Sequence, residues 1–499
     1  MTYISSHLFL KSEPNIRLLM ATTFASILYL LVIVFFFTPG NAFLFALLIA
    51  GEIFHTWQAI TYIYTVWDLN YKAPFDPNFL PEVDVFITVA GEPVEIVRET
   101  VLAAKQMDYP HFNVFILNDG FVANKLNWED MEKLAKDIGV TCITRKIGGG
   151  AKAGNINNGL KETHAPYVLI FDADHIPHED FLKKTVGYFK DPKMGFVQTP
   201  QFYKNSQLNM TTRGAWEQQE LFYGPICRGK NRLNAATMCG TNMILSRKSV
   251  NEVGGMCTES IAEDFATGMF MHEKGYHSTY VSEVLAEGLA PEDFLSYYKQ
   301  QFRWARGALD VIFKYKLLTR RGLNFKQKIQ YLSSVTFFLS GIVVLMNILL
   351  PLVFLYTGQV PLLISGMLLA AVFLPYIFLT LFNLSLTSNY RFTFTALSFA
   401  ISGFWIHVQA LLAAVTGRKT GFAVTSKTAL EGNFPRLLWP QFLYIGLVIS
   451  GFIIAYHREG ASPSVVNNIA WAIVAIGVFI PYMRAAMPSL LPLSNYRNR

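Results

Sequence analysis

The stretch Tyr167-Val168-Leu169-Ile170-Phe171-Asp172-Ala173-Asp174-His175 (YVLIFDADH) decides how the middle of this chain folds. Its first five residues are aromatic or apolar, a run of the length and type of a buried strand. Two carboxylates one residue apart follow at once. Leaving a buried strand, they concentrate negative charge, which is costly unless a cation or hydrogen-bond donors compensate it. The pattern recurs upstream. Val83–Val89 (VDVFITV) and residues 113–117 (NVFIL) read as strands, the second running into Asn118-Asp119-Gly120, and Thr141–Thr144 reads as a further short one. Residues 93–107, 127–138 and 151–163 between them have helical spacing. Strands alternating with helices predict a parallel-rich sheet with helices on both faces and ligands at the carboxyl ends of its strands.

Outward from this α/β unit the chain changes character. The runs 18–37, 42–67, 332–356, 361–384, 395–415, 437–456 and 465–483 are apolar and nearly free of charge. Each has about the length needed to cross roughly 30 Å of hydrocarbon. With 499 residues, 52% of them hydrophobic, and a mean hydropathy of +0.30, the composition excludes an ordinary soluble enzyme. The first run lacks a small-residue cleavage site and a second follows it, which reads as a retained anchor and not a signal peptide. The net charge of +7 comes without a dense Lys/Arg tract, so nucleic acid is not an expected partner and the lipid bilayer is.

Lys11, Arg17 and Lys72 put the N-terminus and the central domain in the cytoplasm by the positive-inside rule, at an inner (plasma) membrane. If 395–415 crossed the bilayer, Arg418, Lys419 and Lys427 would be outside; laid along the interface, it keeps every basic cluster inside. His407 and Gln409 favour the wet position. The reading is six spans plus interfacial helices: 1–67 two spans, 68–330 the cytosolic domain, 331–390 two spans, 391–433 an interfacial helix and loop, 434–499 two spans and a tail. Glu52, inside the second run, either marks a helix that starts later or faces a protein interior or polymer path, because an intramembrane charge is expensive. Cys142, Cys227, Cys239 and Cys257 lack CxxC spacing and read as free thiols.

Three constellations carry chemistry. Asp172 and Asp174 suit a magnesium ion that takes its other ligands from a nucleotide diphosphate and water. Glu263-Asp264 stand where they either cap a helix or supply a general base. In Gln300-Gln301-Phe302-Arg303-Trp304 the i, i+3, i+4 spacing puts Gln300, Arg303 and Trp304 on one helical face. An amide and a guanidinium there can grip a diphosphate, and the indole offers a flat surface to a sugar ring. The plainer alternative is an amphipathic interface helix with an aromatic anchor.

Taken in order, AKAGN (151–155), FDADH (171–175), FVQTP (196–200), FYG (222–224), CG (239–240), AED (262–264), QxxRW (300–304) and FAVTSK (422–427) resemble the processive family-2 glycosyltransferases, in particular bacterial cellulose synthase catalytic subunits. The resemblance implies a GT-A glycosyltransferase domain inserted between transmembrane helices. It implies inverting transfer from a UDP-sugar, UDP-glucose first, to a growing polysaccharide acceptor, with Mg2+ or alternatively Mn2+. On this analogy Asp264 is the catalytic base, and Glu92, Asp119, Lys152, Asp172, Gln300 and Arg303 bind the nucleotide. Asp174 with Asp172 holds the metal, and Trp304, Cys239 and Glu263 face the acceptor. Phe422, Val424, Thr425 and Lys427 form a gating loop over bound UDP.

There are departures. Asn118 stands where the family usually has a second acid, Ala262 replaces a threonine, and Arg306 replaces a small polar residue. Two spans alone follow FAVTSK, so regulation by cyclic-di-GMP within this chain is not expected. The product expected is a β-glucan, β-1,4-linked by preference, with β-1,3 or mixed linkage left open by Ala262. Transfer of single sugars to a lipid carrier and a non-enzymatic transport or scaffold role are the other classes. An envelope export subunit is a further expected partner.

Overall fold

The computed structural model describes residues 14–388, 392–418, 430 and 432–490. Helices α1 (Ile16–Phe36) and α2 (Ala42–Val66) come first. The central domain then runs β1 (Val83–Val89), α3 (Val94–Lys105), β2 (Phe112–Asn118), α4 (Asp130–Ile138), β3 (Thr141–Thr144), α5 (Ala151–Glu162) and β4 (Tyr167–Asp172). It continues through β5 (Ile176–Pro177), α6 (Phe181–Thr185), β6 (Met194–Gln198), β7 (Phe202–Tyr203), α7 (Met210–Leu221), a π turn around Pro225 and α8 (Cys227–Lys230). Then come β8 (Met243–Ser246), α9 (Arg247–Glu252), α10 (Glu263–Glu273), β9 (His277–Tyr280), β10 (Ala286–Gly288), α11 (Phe294–Phe313) and α12 (Phe325–Phe337). The remaining helices are α13 (Ser340–Thr357), α14 (Gly366–Thr387), α15 (Phe394–Ser402), α16 (Phe404–Val415), α17 (Trp439–Glu459) and α18 (Pro463–Ala486).

Seven strands form one sheet in the order β3-β2-β1-β4-β8-β6-β9, and β5-β10-β7 form a small second sheet. The first four strands pair in parallel, as the alternation predicts. In the far half β6 and β9 are again parallel, and β8 is the exception. β8 runs antiparallel to both β4 and β6, so the sheet is mixed. The reason lies just before β8, where Gly240 (φ 82°) and Asn242 (φ 55°) take left-handed backbone. They bring the chain into the sheet beside the carboxyl end of β4, and Thr241 Oγ1 accepts from Asp172 N at 2.9 Å.

All seven residues of β1 are buried, including Asp84. Arg247 Nη2 at 2.7 Å and Ala165 N at 2.9 Å compensate that carboxylate. A charge can occupy a central strand only when paired in this way.

Seven helical segments are long and apolar enough to cross a membrane, so this is a multi-pass membrane protein. Far from the sheet, the turns joining α1–α2 and α13–α14 are tied together: Gly40 N donates to Pro361 O at 3.0 Å and Asn41 N to Val360 O at 2.9 Å. The segment 394–415 differs from the other six. It breaks at Gly403 into α15 and α16, and 61% of its window is buried, against 11–39% elsewhere. Its amino end reaches the central domain, where Thr393 Oγ1 bonds Glu217 of α7; further along the chain, Leu430 N donates to Asp293 Oδ2 at the start of α11 at 3.3 Å.

Asn41 caps α2 by accepting from Phe43 N and Leu44 N at 3.0 and 3.1 Å, so the helix starts well before Glu52. The alternative of a helix that starts later is therefore wrong. Glu52 lies within α2, 6% exposed.

Candidate active site

The carboxyl ends of β1, β2 and β4 and the approach to β8 converge on one edge of the sheet. At the end of β2, Asn118 and Asp119 divide the work. Asn118 is fully buried; its Nδ2 donates to Trp128 O at 2.8 Å and its Oδ1 accepts from Gly120 N at 2.9 Å. It shapes the loop and reaches no cleft. Asp119 is gripped on both oxygens by Arg145, at 2.6 Å from Nε and 2.5 Å from Nη2. Arg145 also donates to Gly149 O and, at 3.1 Å, to Ala151 O. It ties Asp119 to the glycine-rich turn that starts α5, where Gly149, Gly150 and Ala151 all have positive φ. Sequence reasoning missed Arg145, although it follows β3 directly, and the rule about carboxyl ends of strands could have found it. Glu92 lies on the loop after β1, with Oε2 accepting from Ala90 N at 2.6 Å.

Lys152, the second residue of α5, bonds Asp172 and donates to Gly240 O at 2.7 Å. Burial works against its ammonium, but Asp172, Glu263 and Asp264 outweigh it and hold the group above its ordinary range. Burial likewise pushes Asp172 up, with Asp174 adding to the rise, and Lys152 and His175 together more than reverse this, leaving the carboxyl below its usual range. The Asp172 side chain remains 37% exposed, whereas that of Asp174 is 1% exposed, with Oδ2 accepting from Leu289 N at 3.0 Å. Among the described residues no group of three or more His, Cys, Asp or Glu is placed to hold a metal. Two hard carboxylates at the end of one strand do match the donor set of a magnesium ion that shares its coordination with a diphosphate. Asp172 is the member of the pair that reaches the cleft.

Glu263 and Asp264 open α10, but neither is its N-cap. Ala262 is, with no side-chain hydrogen bond to offer. Asp264 Oδ1 accepts from Phe265 N at 2.7 Å. Burial raises both carboxyls, and Asp264 adds to the rise of Glu263. A carboxylate raised in this way is suited to accept a proton near neutral pH. Gly240 makes the close approach possible: a Cβ there would sit 2.9 Å from Asp264 Oδ2 and 3.7 Å from Lys152 Nζ. Cys239, next to it, is held through its backbone by Gln198 Oε1 at 2.8 Å and Gln201 Nε2 at 2.7 Å, and burial pushes its thiol well up.

Helix α11 carries Gln300, Arg303 and Trp304; Arg303 comes within the field of these acids, and Trp304 lines the cavity beside Gln301. Arg303 is drawn down by burial against the opposing pull of Glu263, Asp172 and Asp264, the same acids that surround Lys152. Gln300 Oε1 is buried without a hydrogen-bond partner among the described residues. Register against the AED segment comes from Gly307, where a Cβ would lie 2.7 Å from Ala262 N. Arg306 points away from the chemistry; it is buried and bonds Asp310 one turn along. Phe422, Val424, Thr425 and Lys427 lie outside the described residues.

Asp264, Cys239 and Trp304 also line a cavity of about 1020 Å3. It continues past Gln219, Lys230 and Gln330, between α1, α2, α13 and α14, and reaches Val360, Ser365 and Asn467 at the far turns. Along it, Glu52 Oε2, Gln219 Oε1, Gln330 Nε2 and Tyr444 OH are buried without hydrogen-bond partners among the described residues. Such atoms are expensive in a dry interior.

With this geometry in view, the relatives of the chain can be compared. Residues 81–307 match the family described as glycosyltransferase like family 2, and residues 249–455 match cellulose synthase. The chain carries a family-2 glycosyltransferase domain. "Cellulose synthase 2" of Novacetimonas hansenii is 32% identical over 463 residues, covering 88% of this chain and 29% of that protein. "Cellulose synthase catalytic subunit [UDP-forming]" of Pseudomonas fluorescens (strain SBW25) is 30% identical over 433 residues, covering 83% of this chain and 58% of that protein. The chain thus spans less than two thirds of the length of these relatives. Among solved structures, a mannosyltransferase from Pyrobaculum calidifontis in complex with GDP-Man and Mn2+ superposes with a TM-score of 0.55 at 16% identity, covering 75% of this chain and all of that one. The domain has the GT-A fold.

Proposed function

We propose that the chain is a processive, inverting glycosyltransferase that polymerises a UDP-sugar, UDP-glucose first, into a β-glucan with β-1,4 linkage preferred, and passes the product through its membrane cavity. One observation carries this reading: the raised carboxyl of Asp264 and the indole of Trp304 line the same cavity that runs on between the membrane helices to the far turns. The match to UDP-forming cellulose synthases supports the donor class.

In this mechanism Trp304 stacks the terminal sugar of the acceptor and Asp264 takes the proton from its attacking hydroxyl. The new C–O bond forms at the anomeric carbon as the bond to the diphosphate breaks from the opposite side, and UDP leaves. Arg303, Gln300 and Lys152 hold the charge that develops on the leaving group. Asp119 and Glu92 sit at the nucleotide end, with Asp119 presented by Arg145. Cys239 borders the acceptor, with Glu263 next to the base. Mg2+, or Mn2+ as in the mannosyltransferase complex, would be held by Asp172 with Asp174 behind it and would neutralise the diphosphate.

The orientation follows from charge, with the domain cytoplasmic at an inner membrane. Segment 394–415 lies along the inner face, leaving six spans: its amino end bonds to the central domain through Thr393, it breaks at Gly403, and it is more deeply buried than the other apolar helices. An outer export subunit would receive the chain beside Asn467.

The test is to supply the purified chain in nanodiscs with radiolabelled UDP-glucose and digest the product. A long polymer cut by β-1,4-glucanase is expected. A glycolipid would replace processive synthesis with single transfer, and resistance to both β-1,4- and β-1,3-glucanase would overturn the glucan assignment.

A further inference from the structure

The turn that joins α11 to α12 takes no part in the chemistry above, yet it is strongly charged. Lys314, Lys316, Arg320, Arg321, Lys326 and Lys328 fall within fifteen residues, and the sequence holds no acid from 311 to 430. Two of the six are engaged. Lys314 Nζ donates to Glu259 O at 2.8 Å and lies 3.2 Å from Glu259 Oε2. Arg320 bonds Glu273 and lies 4.8 Å from the centre of the Phe270 ring. Lys316, Arg321, Lys326 and Lys328 form no ion pair among the described residues; Lys328 Nζ instead donates to Leu318 O at 3.1 Å. Between these cations Leu318 is 60% exposed and Phe325 77% exposed.

The depth of the turn follows from α12, which runs back along α2. Thr336 Oγ1 accepts from Trp57 Nε1 at 3.3 Å and from Gln58 Nε2 at 3.2 Å, and Gln330 Oε1 lies 2.9 Å from Thr65 Oγ1. With 25 residues α2 is about 37 Å long, enough to cross about 30 Å of hydrocarbon and end among the headgroups on the domain side. Trp67, exposed at that end, is the kind of aromatic side chain that marks such a boundary. Gln330 stands level with the end of α2, and Phe325 lies about 7 Å beyond it along α12. Leu318, bonded to Lys328, falls in between. The unpaired cations and the two apolar side chains therefore sit in the headgroup layer. The positive-inside rule accounts for the charge, but not for the exposed Leu318 and Phe325 set within it. Basic side chains around apolar anchors beside a membrane helix suit an anionic lipid surface.

The same turn holds both ends of α10. Lys314 engages Glu259 in the loop before that helix, and Arg320 engages Glu273 in its last turn. Gly322 packs so close that a Cβ there would lie 2.2 Å from Glu273 O. Asp264 stands in the first turn of α10. A turn pinned to headgroups thus braces the helix that carries the base. We infer that Lys316, Arg321, Lys326 and Lys328, with Leu318 and Phe325 as apolar anchors, form a binding surface for anionic phospholipid headgroups, and that its occupation speeds transfer by steadying α10. None of these six side chains lines the cavity. The rate effect rests on the transferase reading; the lipid surface does not.

The test purifies the full chain in neutral detergent with equimolar phosphatidylglycerol and phosphatidylcholine of the same acyl chains, and counts the lipids retained by native mass spectrometry. The wild type is expected to retain phosphatidylglycerol about tenfold over phosphatidylcholine. Lys316→Gln/Arg321→Gln/Lys326→Gln, accepted on retained UDP binding, should bring the ratio within about threefold. Lys136→Gln/Lys161→Gln/Lys193→Gln, which removes the same charge elsewhere on the domain, should keep it. In nanodiscs, the wild type should release UDP from UDP-glucose at least threefold faster with one quarter phosphatidylglycerol than in phosphatidylcholine alone, and the first variant should show no such gain. Equal retention of the two lipids by the wild type, an unchanged ratio in the first variant or an equal fall in the second overturns the lipid surface. So does displacement of the lipid by excess glycerol 3-phosphate, which would mark a free-phosphate site. Equal wild-type rates in the two nanodiscs overturn the brace on α10. Absence of UDP release in either lipid, with the lipid preference intact, would instead remove the transferase reading, and the brace with it.

Discussion

The two halves of this protein differ in how they neutralise their acids. At the carboxyl edge of the sheet the key acids meet designated cations: Asp119 meets Arg145 and Asp172 meets Lys152. In the membrane cavity, Glu52, Gln219, Gln330 and Tyr444 each leave a buried atom without a hydrogen-bond partner among the described residues. The contrast follows from the ligands each region would serve. A diphosphate is small, highly charged and bound in one pose, so preorganised ion pairs are worth their desolvation. A chain that must keep moving is better served by weak, interchangeable hydrogen bonds than by fixed partners.

Mutations should break the two regions differently. The largest effect is expected at Asp264. Asp264→Asn should lower turnover about a thousandfold, within the span of general-base losses, while UDP binding and thermal stability stay near wild type. Because burial raises the carboxyl and only the ionised form accepts a proton, wild-type activity should fall as pH drops through a value above the ordinary carboxylate range. A pH–rate profile checks this, and an acid limb near pH 4 would contradict it. Next comes Arg145→Ala, which leaves Asp119 buried and uncompensated. A loss of about 3–5 kcal/mol is expected in denaturant melts, together with weaker UDP binding.

Gly240→Ala should be smaller for the fold and severe for activity. Left-handed backbone costs a non-glycine residue about 1–2 kcal/mol, and the new methyl would press on Asp264 Oδ2. A fall in turnover with UDP affinity retained is the expected split, and normal turnover would remove Gly240 from the site. On the membrane side, Tyr444→Phe should leave thermal stability within about 0.5 kcal/mol, since no hydrogen bond is lost. It should slow chain elongation but not the first release of UDP. The smallest effect is expected at Ala262→Ser, which offers α10 a capping oxygen and should stabilise it by about 0.5–1 kcal/mol in a thermal melt.

How far the sequence could be read depended on whether the determinants were local. The strands VDVFITV and TCIT, the start of α5 at Ala151 and the helix carrying Gln300–Trp304 fell where periodicity put them, to within a few residues. Local burial and propensity act over one element, so one window contains the cause. β8 was missed as an antiparallel insert because its direction depends on Gly240, Asn242 and the edge of β4, about 70 residues away. Arg145 was missed because its importance comes from Asp119, on a different strand.

The sequence by itself determined an α/β domain held between apolar spans, with acids at strand ends and an amide–guanidinium–indole face on one helix. Hydropathy and residue spacing are properties of the chain, and they survive without coordinates. Only the tertiary structure decided that Asn118 braces a loop while Asp119 faces Arg145, that Asp172 and not Asp174 opens to the cleft, and that Arg306 serves its own helix. It also decided that Glu52 lies beside a cavity shared with Asp264 and Trp304. Those outcomes depend on what packs against each side chain, and packing partners come from segments that the chain order keeps far apart.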